Sequence, residues 1–434
     1  MKTSPRALWK FLREKLIKLD FDPSDRDLGL YTRVRKVNGK EEMTIVCQYV
    51  DDLLYLTSSR EAAETFISDL RANDVALDPQ ENPRNYLGYQ ITYTNDAISL
   101  DINGYLKKLM EKYDSDGEMR TECMPYISGF STKELELSCE KAPAATAQQI
   151  QRGRQLVGEL LYAGQKLHAS LGPVLSAMAS TVLKCSSKMW WSTGQHILRY
   201  LKGCLNQELA ITYKRRKPGD TFLPRLTVCS DASFNNDSKS RSLVGEAVFL
   251  DDGLISWSTA VTRTIVLSTV EAETWGASQA GKSLLYYQLL LSQIGVVSEP
   301  GILAIDSMGC IKNMLGGSSA RTGHMHYRER HLMHCAESGL MHITHVYGDR
   351  NPADILSKGM REYQQFEFLR QVFFTSKRKY SWSLDRIASK RKKRKKVSSQ
   401  GVTTSGSDVK TTTTSIVTTA QVVQKRVKRR KVFR

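Results

Sequence analysis

Apolar and polar positions alternate along this chain with two different periods, and the changes between them predict its elements. Between Ala7 and Leu19 the residues Leu8, Phe11, Leu12, Leu16 and Leu19 recur at three- and four-residue spacing, which predicts a helix with one apolar face. The stretches EMTIVCQYV and DLLYLTS predict two strands of a hairpin, with Asp51 and Asp52 at its tip. REAAETFISDLRAN returns to the helical period, and NYLGYQITYT predicts another strand. Residues 126–146 are polar and lack a period, which predicts a linker, whereas residues 147–201 read as mostly helical.

From Pro224 the strand period returns. RLTVCSDAS, LVGEAVFLDD and GLISWSTAV predict three consecutive strands, and a long helix is expected from about Ser268 to Ile294. ILAIDS predicts a fourth strand, two shorter helices follow, and MHITHVYG predicts a fifth. In NPADILSKGM, Asn351 is the expected N-cap of a last helix and Pro352 its first residue. The fold class is therefore α/β, of the α+β kind, divided at 1–125, 126–221 and 222–365, with a separate tail at 377–434.

Charge changes this picture in one place. The chain carries a net +18. Residues 377–434 hold 19 Lys and Arg against two Asp, so nearly all of that charge sits in the tail and the body is close to neutral. Attraction to phosphate is thus mainly a tail property and does not argue for a basic catalytic groove. The tail, basic runs around a Ser/Thr/Val spacer, is expected to be disordered when alone. Its clusters at Lys390–Lys396 and Lys425–Lys431 suit the acidic groove of a nuclear import receptor as well as nonspecific nucleic-acid binding.

Cysteines 47, 123, 139, 185, 204, 229, 310 and 335 are scattered without a CxxC pair, which predicts reduced thiols in an intracellular protein and excludes a zinc ribbon. No run of 18 apolar residues is present, so no membrane partner is expected. MKTSPRALWKFLREKL shows no secretory pattern.

Candidate chemistry concentrates in the second unit, where acids stand at element ends. Asp231 closes the first strand, Asp306 the fourth, and Asp354 lies in the first turn of the last helix. Glu271 and Glu273 both fall at the start of the long helix. Carboxylates converging from two strands and two helices would hold hard cations such as Mg²⁺, and a pair of such ions supports hydrolysis of a phosphodiester. Ser268 and Glu271 have the spacing of a capping box, which assigns Glu271 to the helix start. Glu273 lies about 200° further round the helix and is the expected metal-site residue. His324, His326, His331, His334, His342 and His345 also cluster, with Cys335 as the nearby thiol, which offers a zinc site, but the order RTGHMHYRERHL resembles a known family's basic helix region instead. Arg321, Arg328 and Arg330 would face a nucleic-acid backbone or solvent.

SDASFNNDSKSRSLVGEAVF, ISWSTAVTRTIVLSTVEAET, IDSMGCIKNML and RNPADILSKGM resemble the RNase H domain of copia-type long-terminal-repeat retrotransposon polyproteins. The resemblance implies an RNase H-like mixed five-stranded sheet with helices. It also implies an Asp-Glu-Asp-Asp set binding two Mg²⁺, with Mn²⁺ as the alternative ion, to cut the RNA strand of an RNA–DNA hybrid. Matched motif by motif, that set falls on Asp231, Glu273, Asp306 and Asp354. HVYGDRNPAD leaves no room for the His-bearing loop that cellular RNase H enzymes carry before the last aspartate, and His345 is a poor substitute from within a strand.

Upstream, SPRALWKFL, IVCQYVDDLLYLTSS, NYLGYQI and ISLDINGYLKKLMEKY resemble segments of the copia-type reverse transcriptase, from the nucleotide-lining stretch to the palm hairpin and thumb. RQLVGELLYAG and HILRYLKGCLNQEL resemble its connection region. In the family Asp51 would ligate metal with Asp52 beside it. A further palm aspartate lies before the SPR segment there, so the expectation is a truncated palm, thumb and connection without independent polymerase activity. The family places such a protein in virus-like particles, the cytoplasm and the nucleus. The competing expectation is a decayed or domesticated element product acting as a non-catalytic nuclear nucleic-acid-binding protein.

Overall fold

The computed structural model describes residues 5–37, 39–127, 130–216, 222–316 and 326–374. The basic tail with both lysine-rich clusters, together with Arg321 and His324, lies outside them, as does the side chain of His326.

The N-terminal unit is a four-stranded sheet in sequential order, β1 (Asp22–Pro23), β2 (Leu30–Val37), β3 (Lys40–Tyr49) and β4 (Asp52–Thr57). Helices α1 (Pro5–Lys18) and α2 (Arg60–Ala72) supply the apolar stripe that covers it, and Leu12, Leu16, Tyr31, Val46, Phe66 and Leu70 form its core. β3 and β4 make the expected hairpin, with Tyr49 paired to Asp52. Val50, in the two-residue turn, has φ 54°, a left-handed conformation costly for a β-branched residue.

A second sheet joins β5 (Asn85–Tyr86), β6 (Tyr89–Tyr93) and β7 (Ala97–Asp101) to β8 (Ile211–Lys214), which returns from more than a hundred residues later. Between them lie α3 (Asn103–Tyr113), α4 (Thr132–Lys141), α5 (Ala147–Lys166), α6 (Gly172–Ser180) and α7 (Lys188–Asn206). The segment read as a linker therefore contains a helix. Leu135, Glu136 and Cys139 of α4 are buried, and its short apolar stripe was too sparse to stand out from the polar background.

The third unit is a five-stranded sheet in the order β11 (Gly253–Val261), β10 (Leu243–Leu250), β9 (Arg225–Ser233), β12 (Glu299–Ile305), β13 (Met341–His345). β9, β10 and β11 run antiparallel, while β12 and β13 run parallel to β9. This is the mixed five-stranded sheet that the resemblance implies. Period-two alternation sorts its two faces. Leu226, Val228, Val248, Leu303 and Ile305 pack with Ala277, Ala280 and Leu284 of α8 (Thr269–Gln293), and α9 (Met308–Gly316) and α10 (His326–Glu337) complete that side. Cys229, Ala247 and Ala304 face the other way, into one continuous core with α5, α6, α7 and the C-terminal helices α11 (Asp354–Ser357) and α12 (Tyr363–Phe373).

The last helix is shorter than predicted. Asn351 is not an N-cap; its Oδ1 accepts the Ala353 amide at 3.1 Å in a local turn, and α11 is a single turn that begins at Asp354. A separate helix, α12, follows.

Candidate metal centre

The geometry of the site starts from strand register. Ile305 pairs with Ser230 across the parallel β9–β12 ladder, so the next residue on each chain, Asp231 and Asp306, emerges at the same sheet end. On the other side of β9, Asp231 pairs with Gly245 of β10. A Cβ at Gly245 would lie 2.6 Å from the Ala353 carbonyl oxygen and 2.7 Å from Leu356 Cβ. Only a residue without a side chain lets α11 lie this close to the sheet, and that approach brings Asp354 over Asp231. The Asn351 Nδ2 donates to the Ser230 carbonyl at 2.9 Å and ties the same turn to β9.

Asp231, Asp306 and Asp354 thereby offer ligand oxygens that all lie within 4.8 Å of one another. Asp231 and Asp354 are buried. The fourth predicted residue arrives from the opposite face. Gly276 packs α8 against Ser230 and Val244, where a Cβ would come within 2.9 Å of the serine hydroxyl. Glu273, one turn earlier, reaches the end of β9 and meets the Ala232 amide. Its Oε2 is buried with no hydrogen-bond partner among the described residues. Glu271 does what the capping pattern predicts: its amide donates to Ser268 Oγ at 3.1 Å, and its Oε2 accepts the Leu267 amide at 2.6 Å.

Electrostatics follow from this crowding. Burial, then repulsion from Asp231 and Asp306, pushes Glu273 up to about 9. Burial and Asp231 raise Asp354 to about 8 and Asp306 to about 6. Carboxylates so strained against ionisation favour a cation among them. An orphaned carboxylate oxygen, three clustered aspartates and an all-oxygen donor set fit a hard divalent ion.

Two site residues escaped the sequence reading. Ser357 Oγ donates to Asp231 Oδ2, and Lys358 Nζ lies 3.1 Å from Asp354 Oδ1 and 3.5 Å from Asp231 Oδ2. Both sit in DILSKGM, three and four residues after Asp354, the spacing that returns a helical side chain to the same face. His345 ends β13 and donates from Nε2 to the Asp306 backbone carbonyl at 3.0 Å, so it braces the loop and leaves the carboxylates to the other four residues.

The remaining candidates stand apart. Asp51 and Asp52 occupy the β3–β4 hairpin, and among the described residues no group of three His, Cys, Asp or Glu side chains gathers around them. The described histidines of the cluster form no such group either; His331 Nε2 and Cys335 Sγ approach to 3.9 Å one helical turn apart. All eight cysteines are free thiols, and no helix among the described residues is long and apolar enough to cross a membrane. Trp190 is fully buried, with Nε1 donating to the Met178 carbonyl.

Comparison with known proteins agrees with the motifs. Residues 1–127 match the family described as reverse transcriptase (RNA-dependent DNA polymerase). The chain is 23% identical over 330 residues to the retrovirus-related Pol polyprotein from transposon TNT 1-94 of Nicotiana tabacum, covering 74% of this chain and 24% of that protein. To the Pol polyprotein from transposon RE2 of Arabidopsis thaliana it is 24% identical over 383 residues, covering 86% of this chain and 24% of that protein. It spans about a quarter of the length of these two relatives. Among solved structures, RNase H1 of Halobacterium salinarum NRC-1 is 19% identical, with 31% of this chain and 94% of that chain covered and a TM-score of 0.23. An LC11-RNase H1 in complex with an RNA/DNA hybrid gives 14%, 31%, 94% and 0.25. Sequence similarity thus relates this chain to the Pol polyproteins of copia-type retrotransposons, with a reverse-transcriptase segment over residues 1–127.

Proposed function

We propose that residues 222–365 cleave the RNA strand of an RNA–DNA hybrid with divalent metal, Mg²⁺ or Mn²⁺. The observation that carries this reading is the convergence of Asp231, Asp306 and Asp354 within 4.8 Å; Glu273 stands outside that group, with a buried Oε2 that has no hydrogen-bond partner among the described residues and with Asp231 and Asp306 in electrostatic reach. Asp231, Glu273, Asp306 and Asp354 would hold the metal, which when bound supplies an activated water and stabilises the leaving oxygen. The chain's own residues prepare that site. Ser357 orients Asp231, Asn351 fixes the turn that presents Asp354, and His345 holds the Asp306 backbone. Hybrid recognition would rest on backbone and 2′-hydroxyl contacts, without sequence readout.

The test is incubation of the full-length protein with a hybrid labelled on its RNA strand. Mg²⁺-dependent cutting of RNA with the DNA intact, stopped by chelator and by Asp231→Asn, is expected. A hybrid that binds but stays uncut in both Mg²⁺ and Mn²⁺ overturns the reading.

For the N-terminal unit we infer that Asp51 ligates metal with Asp52 beside it, and that this pair alone does not transfer nucleotides. The basic tail would retain nucleic acid and engage a nuclear import receptor, placing the protein in nucleus and cytoplasm. Deleting residues 377–434 separates an enzyme from a tethering protein: hybrid cleavage survives in the first, while nuclear location and salt-sensitive binding are lost in both.

A further inference from the structure

Lys358 joins carboxylates from two different elements. Its ammonium bridges Asp231, at the end of β9, and Asp354, at the start of α11, at 3.5 and 3.1 Å. Its side chain is 41% exposed, whereas those of Asp231 and Asp354 are 2% and 5% exposed. The charge therefore enters from solvent on a flexible four-carbon stem and can leave the same way. An ion bound by both aspartates would need their oxygens at about 2.0–2.1 Å if it were Mg²⁺, which places it against the ammonium. Two positive charges that close repel strongly in a partly dehydrated site.

We propose that Lys358 is a resident counter-ion, which holds Asp231 and Asp354 together in the metal-free protein and swings out to solvent when a divalent cation enters. The inference rests on the reading of this cluster as a metal centre. It has two consequences of opposite sign. Removing the charge destabilises the metal-free protein, because buried carboxylates lose their partner. It also strengthens metal binding, because the ion no longer competes with an ammonium. A purely structural ion pair produces the first effect and not the second.

Calorimetric titration of the full-length protein with MnCl₂ distinguishes them, run on the wild type, Lys358→Met, Lys358→Arg and Asp231→Asn, with thermal midpoints measured in chelator. Lys358→Met should bind Mn²⁺ on the order of tenfold more tightly than wild type, equivalent to about 1.4 kcal/mol. It should also melt at a lower temperature in chelator, while Lys358→Arg stays near wild type in both. Where Lys358→Met folds only with Mn²⁺ present, Lys358→Gln takes its place in the same comparison. Unchanged or weaker Mn²⁺ affinity in a folded Lys358→Met protein overturns it. If Asp231→Asn abolishes binding while Lys358→Met leaves it unchanged, the metal centre stands and the counter-ion role alone falls. If Asp231→Asn leaves wild-type binding intact, or no variant binds, both fall.

Discussion

Glu271 and Glu273 share one helical turn, yet Glu271 caps its own helix while Glu273 meets the Ala232 amide of β9 and the repelling carboxylates of Asp231 and Asp306. Glu271 closes the start of α8 through Leu267 and Ser268, so Glu271→Ala should cost about 1 kcal/mol of stability and leave hybrid cleavage unchanged. Glu273→Gln should reduce cleavage by at least about 10²-fold, the rate equivalent of several kcal/mol of metal-ion catalysis. Thermal melts and initial rates on the two variants check this, and a rate loss confined to Glu271→Ala would reverse the assignment. A pH dependence follows from the same crowding. Without metal, Asp306, Asp354 and Glu273 stay protonated up to about 6, 8 and 9, while the unfolded chain has released those protons near ordinary carboxylate values. Between those limits the folded state binds more protons than the unfolded, so stability falls as pH rises. Urea midpoints in chelator should decline from about pH 5 to about pH 9, and Glu273→Gln should flatten the upper part of that decline. Midpoints that rise over this range would contradict the raised values.

At the scale of elements, two glycines position the centre. Gly245 faces the Ala353 carbonyl and Leu356, and the atoms a methyl group would strike are largely backbone, which cannot rotate aside. Gly245→Ala should therefore cost about 1–3 kcal/mol or more through overpacking and lift α11 with Asp354 from the sheet. Cleavage should fall more steeply than the melting temperature, measured as rate against thermal midpoint. A variant with normal rates would mean that α11 has freedom to shift without disturbing Asp354. These contacts explain what could be read beforehand. The strands of the third unit alternate cleanly because each face of their sheet has its own core, and the acids at their ends were visible as breaks in apolar runs. The one-turn α11 was overextended in the reading because Asn351 and Pro352 have the residue types of a helix start, and the side-chain bond from Asn351 to Ser230 that redirects them is tertiary. The helix α4 was missed for a related reason: its buried stripe is Leu135, Glu136 and Cys139, and a glutamate in that stripe hides it from any apolar pattern. Glu136 is buried because it accepts the Ser238 amide at 2.6 Å from the third unit. Ser357 and Lys358 carried only the signal of their spacing from Asp354, and a serine and a lysine after a helix turn ordinarily face solvent.

Across the whole molecule, the divisions drawn from composition and the divisions of the core differ. The N-terminal unit keeps its own core around Tyr31 and Phe66, touching the rest where Ser24 Oγ donates to Gln293 Oε1 at 2.6 Å near the end of α8. The helices α3–α7 and the third unit share one core that runs from Ile102 to Phe374. Trp257 Nε1 donates to the Gly164 carbonyl at 3.1 Å, and Tyr213 hydroxyl to the Leu254 carbonyl at 2.6 Å, so polar contacts cross the same boundary. α12 is the clasp. Arg370 on it donates to Gln207 Oε1 at 2.7 Å, and Phe366 is fully buried, edge-on to Tyr126 at 6.5 Å and to Tyr200 at 6.1 Å. Phe366→Ala should cost about 3–5 kcal/mol, because the cavity opens between elements that cannot collapse independently. Calorimetry should show the transition of helices α3–α7 and the third unit moving down together, with hydrogen-exchange protection lost in α7 and β9 alike. Protection around Tyr31 and Phe66 should be unchanged. Loss of protection confined to α12 would mean that the two units hold together without it, and that the shared core is a contact surface and not a cooperative unit.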